Sequence, residues 1–273
     1  MFRILRLQFR TWKTKPMVWI GFLLGMSFVL ANTLDVVRTA QGSEEWIQMF
    51  EPTILSGSSA WQSLFLLLGV LLILSDSPFL NDLTPAVTMR ASRIKWFAAQ
   101  ILYILATCFL YYLILTAFSM ILSLSVSYPQ NVWSHLLYSA ASGKSDAIEF
   151  SNLSFMKTWL PVSAWMITIF FQTIYAATLE WILFFINTHM RRNGGICIVM
   201  LIHILGYVLF LEGFAGIRKL SLLIHALPAL HVDQFVHGLN AAPTVIESVI
   251  VFTFIDLLLI IGLFRSAKRF DFL

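Results

Sequence analysis

Long apolar runs alternate with shorter polar stretches along the chain. The six longest runs lie at about residues 17–32, 57–75, 97–126, 160–187, 195–213 and 245–264. Each approaches or exceeds the roughly 20 apolar residues that a helix needs to cross a bilayer. A helix also satisfies its backbone polar groups within one segment, as lipid requires. The pattern therefore predicts an all-α integral membrane protein with six transmembrane helices in a single domain, residues 1–273.

Composition agrees with this class. Hydrophobic residues make up 59% of the 273 residues and charged residues 12%, whereas a soluble domain carries about 25% charged residues. So much apolar surface does not fit inside one water-soluble core. The net charge of +4 is small, and we expect membrane lipid rather than nucleic acid as a partner.

The placement of Lys and Arg predicts the orientation. Six crossings put both termini on one side of the membrane. The opposite side would hold five of the 18 basic residues, namely Arg38, Lys144, Lys157, Arg218 and Lys219, which leaves thirteen on the side of the termini. Cytoplasmic segments carry the excess of positive charge, so we expect both termini in the cytoplasm.

The first 15 residues predict a helix that lies in the membrane interface. Its cations recur at helical spacing and share one face: Arg3, Arg6, Arg10 and Lys13. A neighbouring apolar face is formed by Phe2, Leu5, Phe9 and Trp12. Such a helix turns its apolar side towards lipid and its cations towards anionic head groups. The alternative is a basic flank that only orients the first crossing.

The segment 76–96 is a polar interruption between the second and third apolar runs. Its charged residues are Asp76, Asp82, Arg90, Arg93 and Lys95. Thr84 followed by Pro85 is typical of a helix start, with a capping hydroxyl and a proline in the first turn. Two interpretations remain open from the residues alone: an ordinary positively charged loop, or a segment on which a soluble partner docks.

On the other side of the membrane, the long segment 214–244 contains a shorter apolar stretch, Leu220–Leu230. Eleven residues are too few to cross a bilayer, so the stretch is expected to dip into the membrane or lie on it. The segment therefore predicts a re-entrant element before the last crossing.

Two carboxylates fall inside the apolar runs, Glu180 in the fourth and Asp256 in the sixth. Charged residues within spans face the bundle interior or a watery cavity and often mark a transport path. The functional interpretation is that both line a translocation path. The alternative is interhelical hydrogen bonding, with Gln172 or Asn187 as partners.

The run DSPFL at 76–80 and the run MRASRIKWFAAQILY at 89–103 resemble the permease subunits of ABC-2 type transporters, which are small six-helix ABC exporter components. The basic N-terminal helix and the broken apolar loop before the last crossing also fit. The resemblance implies that segment 76–96 couples the chain to a separate cytoplasmic ATPase. The coupling residues would be Asp76, Pro78, Phe79, Asp82, Arg90, Arg93 and Lys95.

The same resemblance implies an assembly of two permeases, as a homodimer or a heterodimer, with two ATPases in a bacterial cell membrane. ATP and Mg²⁺ would bind the partner, because this chain has no phosphate-binding loop motif. The chain itself is therefore expected to be no enzyme and to hold no cofactor or metal. The expected cargo is a hydrophobic or amphipathic peptide, such as an antimicrobial or toxin peptide, moved outwards.

Three alternatives stay open. A secondary transporter driven by an ion gradient would show a broken helix pair around Asp256. A metal site would need the last long loop to bring His225, His231 and His237 together. An intramembrane protease of the CAAX-processing kind would use its glutamate and histidine boxes, of which Phe185, His189 and Asn193 match the later two while Glu44-Glu45 matches the first only in part.

Overall fold

A computed structural model describes residues 2–79, 92–143, 153–189, 194–211, 218–231 and 242–268. Within these ranges the helices are α1 (Phe2–Thr11), α2 (Pro16–Gly42), α3 (Glu51–Ser58), α4 (Ala60–Leu74), α5 (Arg93–Ser123), α6 (His135–Ala141), α7 (Leu153–Thr158), α8 (Pro161–His189), α9 (Gly194–Leu211), α10 (Leu222–His225) and α11 (Val245–Ala267). Single 3₁₀ turns lie at Leu124–Val126, Arg218–Leu220 and Pro228–Leu230. Two short strands, β1 (Ile47–Gln48) and β2 (Ser127–Tyr128), pair in parallel.

Five of the described helices are long and apolar enough to cross a membrane: α2, α5, α8, α9 and α11. The pair α3 and α4 makes a sixth span if it is counted as one, although the two helices meet at 92°. The fold is thus an all-α membrane architecture with five or six spans. The predicted second span, 57–75, is largely α4, whose 15 residues reach only about 22 Å.

The break between α3 and α4 has a local cause. Ser59 is extended, with φ −89° and ψ 124°, and its side chain accepts a hydrogen bond from the backbone N–H of Gln62. A serine that caps a new helix satisfies a backbone donor that the bend would otherwise leave unpaired. The predicted span of 57–75 begins at the Gly-Ser-Ser stretch that forms this bend, so the pattern leaves out α3, which lies almost wholly before residue 57.

Helix α2 is longer than its predicted span of 17–32, because it continues to Gly42. Its 27 residues extend about 40 Å, which exceeds the hydrocarbon thickness of about 30 Å. The extension carries polar groups such as Asn32, whose amide donates to the Pro52 carbonyl at 3.1 Å. The end of α2 therefore projects beyond the apolar layer and supports the segments that follow it.

These segments form a small structure of their own, which we call the cap (residues 33–58 and 124–143 with α7). It has a separate hydrophobic cluster that includes Ile47, Ile54 and Leu137, all at most 1% exposed. The strand pairs Ile47 with Ser127 and Gln48 with Tyr128 join the two loops. The long loops that the sequence leaves without structure thus pack together at one end of the bundle.

Helix α8 is the centre of the bundle. In its most apolar 18-residue window 72% of the residues are buried, against 22% for α9 and 17% for α11. It packs against α5, α9 and α11. The apolar faces of α9 and α11 consequently point away from the protein, as expected for helices that contact lipid or a second subunit.

The glycines of the first span serve contacts within the chain. Gly21 lies against the backbone carbonyl of Gly69 on α4, and a side chain at Gly25 would overlap the Tyr111 hydroxyl. Tyr111 in turn donates to the Leu66 carbonyl at 2.9 Å. Small residues let helices approach closely in membranes, and here they bring α2, α4 and α5 together.

Candidate functional site: the junction of the N-terminal helix with α4 and α5

The residues that follow α4 are held at the end of the bundle opposite the cap, in a cluster that we call the junction (Gln8, Trp12, Lys15, Asp76, Phe79 and Tyr103). Lys15 precedes α2, and its Nζ lies 3.2 Å from Oδ2 of Asp76. The same Nζ lies 5.5 Å from the centre of the Phe79 ring. One lysine therefore holds both ends of the segment Asp76–Phe79 against the start of α2.

Phe79 packs against α5 and so connects the segment after α4 to that helix. Its ring is 7% exposed and meets the ring of Tyr103 edge-on, with centroids 5.0 Å apart. Edge-to-face pairs of this kind add stability beyond the area that they bury. A displacement of the chain after α4 would therefore push on α5 directly.

Two hydrogen bonds hold helix α1 against α5. Gln8 Nε2 donates to Gln100 Oε1 at 2.5 Å, and Trp12 Nε1 donates to the Tyr103 hydroxyl at 2.7 Å. Phe9 adds an edge contact with the Tyr103 ring at 5.1 Å. Much of the apolar face of α1 thus packs on the protein, where the sequence pattern places it on lipid, because the buried amide Gln8 finds its partner on α5.

The cationic face of α1 remains exposed, as its helical spacing predicts. It consists of Arg3, Arg6, Arg10 and, just after the helix, Lys13. Phe2 is also 77% exposed. The exposure of these side chains agrees with the predicted cationic face, and contacts with α5 hold the opposite side of the helix.

A third set of contacts ties the junction to α8 and α9. Asn187 Nδ2 donates to the Ser77 carbonyl at 2.8 Å, and the backbone N–H of Gly195 donates to Asn187 Oδ1 at 3.2 Å. Asn187 thus bridges the end of α8, the start of α9 and the chain after α4. The short stretch Asp76–Phe79 touches the start of α2, α5 and α8 at once.

A cavity of about 260 Å³ opens within the junction. Its lining consists of Gln8, Thr11, Thr14, Lys15, Asp76, Phe79 and Tyr103. The side chains of Lys15 and Asp76 are 30% and 46% exposed, so their ion pair is screened by water and stabilises the fold by less than about 1 kcal/mol. Such a pair can be exchanged for contacts with a partner at little cost.

The predicted coupling residues are only partly within the described ranges. Asp76, Pro78 and Phe79 lie at the beginning of the segment, directly after α4. Arg93 and Lys95 are exposed in the first turn of α5. Ser92 caps that turn by accepting from the N–H of Lys95 at 3.4 Å. Asp82, Arg90 and the predicted helix start at Thr84 and Pro85 lie outside the described residues.

The two candidate path residues lie on opposite sides of α8: Asp256 on α11 contacts one side, and Glu180 on α8 itself faces the other. Asp256 Oδ1 accepts a hydrogen bond from the hydroxyl of Thr178 at 2.6 Å, which joins α11 to α8. Glu180, two residues and about 200° further around the helix, is 0% exposed. Neither of its oxygens has a hydrogen-bond partner in the described part of the chain.

The hydrogen-bond partners expected for these carboxylates are engaged elsewhere. Gln172 Nε2 donates to the Gly57 carbonyl and to the Ser63 hydroxyl, both at 2.9 Å, and Asn187 bonds within the junction. Gln172 therefore fastens the bend between α3 and α4 to α8. A glutamine in the middle of an apolar run is the sequence signal for this contact, but its partner cannot be read from spacing.

A second polar link that the sequence does not reveal joins α8 to α9. The Tyr175 hydroxyl lies 2.6 Å from Nδ1 of His203, and His203 Nε2 lies 3.2 Å from the Leu64 carbonyl. Because a carbonyl only accepts, Nε2 is the protonated nitrogen of a neutral ring, and the tyrosine donates to Nδ1. His203 thus connects three spans.

Two of the three loop histidines do come together, around a serine. Nδ1 of His225 and Nε2 of His231 lie 2.9 Å and 3.0 Å from the Ser248 hydroxyl. Burial lowers the pKa of His225 below 6.5 and that of His231 to about 4, so both rings are neutral at pH 7. His237 lies outside the described residues, and the described ones contain no group of three His, Cys, Asp or Glu suited to a metal.

The protease alternative requires its glutamate box to lie close to His189. In the described ranges, the two lie at opposite ends of the bundle. Glu45 Oε1 lies 2.7 Å from His135 Nδ1 in the cap. His189 lies at the other end of α8, where its Nε2 is 3.2 Å from the Ser266 hydroxyl. Helix α11 runs unbroken through Asp256, so the broken pair expected of a secondary transporter is not formed by this helix.

Comparison of the chain with protein-family models, with curated proteins and with solved structures finds no match.

Proposed function

We propose that the chain is the membrane permease of an ATP-driven exporter of the ABC-2 type, coupled through segment 76–96 to a separate ATPase. The observation that supports this most is that the short stretch Asp76–Phe79 contacts three different spans. It contacts the start of α2 through Lys15, α5 through Tyr103 and α8 through Asn187. A push on the segment that joins α4 to α5 is thereby passed to three spans together.

In this proposal the junction faces the cytoplasm and the cap faces outwards. Nucleotide binding draws two ATPases together, and the junction of each permease moves with them. The energy comes from the different affinity of nucleotide for the two states, since the permease performs no chemistry. Exposed basic side chains at the start of α5, Arg93 and Lys95, and the exposed cations of α1 give an acidic ATPase surface groups to pair with.

The proposed cargo is a hydrophobic or amphipathic peptide. An apolar groove of about 680 Å³ runs along α5 and α8, lined among others by Leu102, Phe109, Met166 and Phe170. It offers apolar side chains a surface within the membrane, away from the charged junction. A second permease copy across the exposed faces of α9 or α11 would complete the path.

The test is reconstitution of the purified chain in liposomes with a candidate ATPase that carries Walker motifs and copurifies with it. We expect the variant Arg90→Glu with Arg93→Glu to lose ATPase binding and at least tenfold of the transport-coupled hydrolysis, because charge reversal repels the same partner surface. The matched control is Arg38→Glu with Lys157→Glu, which reverses two charges at the cap end. Equal hydrolysis in the junction variant, or full activity of the chain without nucleotide, would refute the proposal.

One observation favours a second candidate, a transporter driven by an ion gradient. Glu180 is fully buried in α8, and both of its oxygens lack a partner in the described ranges, which is the usual placement of a group that takes up a proton during transport. The discriminating measurement is peptide flux into liposomes under a proton gradient alone. Flux that Glu180→Gln abolishes would favour this candidate over the ATP-driven one.

A further inference from the structure

A second cavity lies at the junction end of the bundle, between the C-terminal ends of α8 and α11. Its volume is about 730 Å³, within the range of small-molecule sites. It is lined by Phe185, Thr188, His189, Gly262, Arg265, Ser266 and Lys268. Because both helices are long enough to span the membrane, their ends place this cavity at the level of the lipid head groups.

The described lining is basic and rich in hydroxyl groups. Arg265 and Lys268 are exposed, and no carboxylate is among the lining residues or pairs with either cation in the described ranges. Hydroxyl groups of Thr188 and Ser266 stand beside them, but each donates its proton to a carbonyl of its own helix, those of Phe185 and Gly262. The attraction for a phosphate group therefore comes from the two cations, which have no acidic partner in the described ranges.

The helix ends that form the cavity are fastened to each other. His189 Nε2 lies 3.2 Å from the Ser266 hydroxyl, which donates to the Gly262 carbonyl at 2.9 Å. His189 Nδ1 lies 2.8 Å from the Phe185 carbonyl. The floor of the cavity is therefore built from side chains that are already positioned before any ligand arrives.

One face of α11 leads from the apolar layer directly to this cavity. Phe254, Leu258 and Ile261 are 62%, 53% and 43% exposed, and they follow one another at spacings of four and three residues. Arg265 continues the same row four residues later. An apolar row that ends at a basic cavity has the shape of a phospholipid, with acyl chains along the row and a head group at the arginine.

The C-terminal ends of both helices carry partial negative charge, which by itself disfavours an anion. Arg265 and Lys268 must therefore supply the attraction, and a soluble phosphate would have only these two cations. A lipid adds the contact of its chains with the apolar row and is held at the membrane surface. This difference favours the lipid as the source of the phosphate.

We propose that this cavity binds the phosphate-bearing head group of an anionic phospholipid, with the acyl chains along Phe254, Leu258 and Ile261. The site does not depend on an ATPase partner. It lies one turn or less from Asn187, which bonds the Ser77 carbonyl in the junction. A bound lipid would thus stabilise the end of α8 that holds the junction in place.

The test is native mass spectrometry of the purified full chain in detergent, titrated with phosphatidylglycerol or with phosphatidylcholine of the same acyl chains. A basic side chain near an anionic head group strengthens binding about fivefold. We therefore expect Arg265→Gln with Lys268→Gln to weaken phosphatidylglycerol binding by roughly 30-fold and to weaken phosphatidylcholine binding much less, because the choline cation of that lipid offsets the charge of its phosphate. The charge-preserving variant Arg265→Lys with Lys268→Arg should retain most of the binding.

The matched control, Arg38→Gln with Lys157→Gln, removes the same net charge at the cap end and should bind as the unmodified chain does. Equal binding by the junction-end variant, or equal weakening in the control, would overturn the site. Displacement of phosphatidylglycerol by millimolar glycerol 3-phosphate would show a soluble phosphate site instead of a lipid site. If the double variant does not fold, Arg265→Gln and Lys268→Gln are titrated separately, and each should weaken phosphatidylglycerol binding about fivefold.

Discussion

The two ends of the bundle are held together by different kinds of contact. In the cap, Glu51 is 1% exposed and accepts from the backbone N–H and the hydroxyl of Ser134, each at 2.7 Å. In the junction, the ion pair of Lys15 and Asp76 is partly open to water. The cap thus satisfies backbone groups in a dry interior, while the junction joins side chains at a wet surface.

The difference indicates which end is able to move. Breaking a buried bond to backbone leaves a donor without a partner, at a cost of about 1–3 kcal/mol each. Breaking an exposed ion pair costs less than about 1 kcal/mol, since water replaces the partner. The cap is therefore expected to keep one arrangement, and the junction can change its contacts when a partner binds.

The largest expected effect is the loss of Glu51. Glu51→Ala leaves the N–H groups of Ser134 and Gln48 and the hydroxyl of Ser134 without their acceptor. With three buried donors affected, we expect the free energy of unfolding to fall by about 3 kcal/mol or more. Thermal unfolding in detergent, followed by tryptophan fluorescence, measures the change.

The matched control is Asp35→Ala, which removes an exposed carboxylate from the part of α2 that belongs to the cap. Its ion pair with Arg38 is long, at 3.7 Å, and both side chains are more than 70% exposed, so its removal should leave the melting temperature almost unchanged. If Glu51→Ala melted as this control does, the cap would not be the rigid end.

The next effect is a pH dependence of the segment that adjoins the cap. In the unfolded chain His231 titrates near 6.5, and burial lowers its folded pKa to about 4. With respect to His231, the unfolded state therefore binds more protons between these values, so the contribution of this ring to stability is fully present above pH 6.5 and is lost as pH drops towards 4. At pH 5 the loss from His231 alone is on the order of 2 kcal/mol.

Melting temperatures at pH 7.5 and pH 5 for the unmodified chain and for His231→Asn measure this effect. Two other groups also change stability between these pH values: Glu51, whose pKa burial raises to about 7 and which acts in the opposite direction, and His225, whose pKa burial lowers. The test is therefore the difference between the two proteins: on going from pH 7.5 to pH 5 the variant, which has no ring to protonate, should fare better by on the order of 2 kcal/mol. A drop of equal size in both proteins would assign the pH dependence to other groups.

The contrast between the two ends was only partly predictable from the sequence. Apolar runs gave four spans to within a few residues, as 160–187 against α8 and 245–264 against α11 show, because lipid imposes helical structure on any long apolar run. They missed the continuation of α2 to Gly42 and the bent pair α3 and α4. The cap was not predicted, since its strands are two residues long and its contacts join loops far apart in the chain. Burial of Glu51 depends on Ser134, 83 residues away.

For the junction, the types of residue in the sequence predicted which segments take part, but they did not predict which side chains contact each other. The polar composition of 76–96 marked the segment, and helical spacing gave the exposed cations of α1. Spacing did not pair Lys15 with Asp76 or Asn187 with Ser77, because these contacts depend on how the spans pack. The contacts of Glu180 were not predictable either, because Gln172 and Asn187, its expected partners, form hydrogen bonds with other groups.

A smaller effect is expected at the indole that closes the cap. Trp133 Nε1 donates to the carbonyls of Met156 and Trp159 at 3.1 Å and 2.9 Å. Trp133→Phe keeps an aromatic ring but removes this donor, and we expect a loss of about 1–2 kcal/mol in the free energy of unfolding. Thermal unfolding measures it, with Trp61→Phe as control, because Trp61 is 55% exposed. A loss no larger than in the control would contradict the role of the indole donor.

The smallest effect on stability is expected at the junction itself. The ion pair of Lys15 with Asp76 should contribute less than about 1 kcal/mol to the free energy of unfolding, because water takes the place of the lost partner in Lys15→Ala or Asp76→Ala. The double variant Lys15→Ala with Asp76→Ala should lose less than the sum of the two single variants, by the coupling of the ion pair. Thermal unfolding of all three proteins and the unmodified chain gives that coupling as a double-mutant cycle.

The same three variants separate stability from motion. If the junction is the end that moves, Asp76→Ala should increase hydrogen exchange of backbone amides around Ser77 and Phe79 while amides of the cap exchange as before, because the open state of a local unit then gains population. Exchange that rises equally at both ends, or a stability loss at Asp76 as large as that at Glu51, would remove the distinction between a fixed cap and a mobile junction. The outcome matters for the proposed coupling, since a partner can only drive the end of the bundle whose contacts yield at low cost.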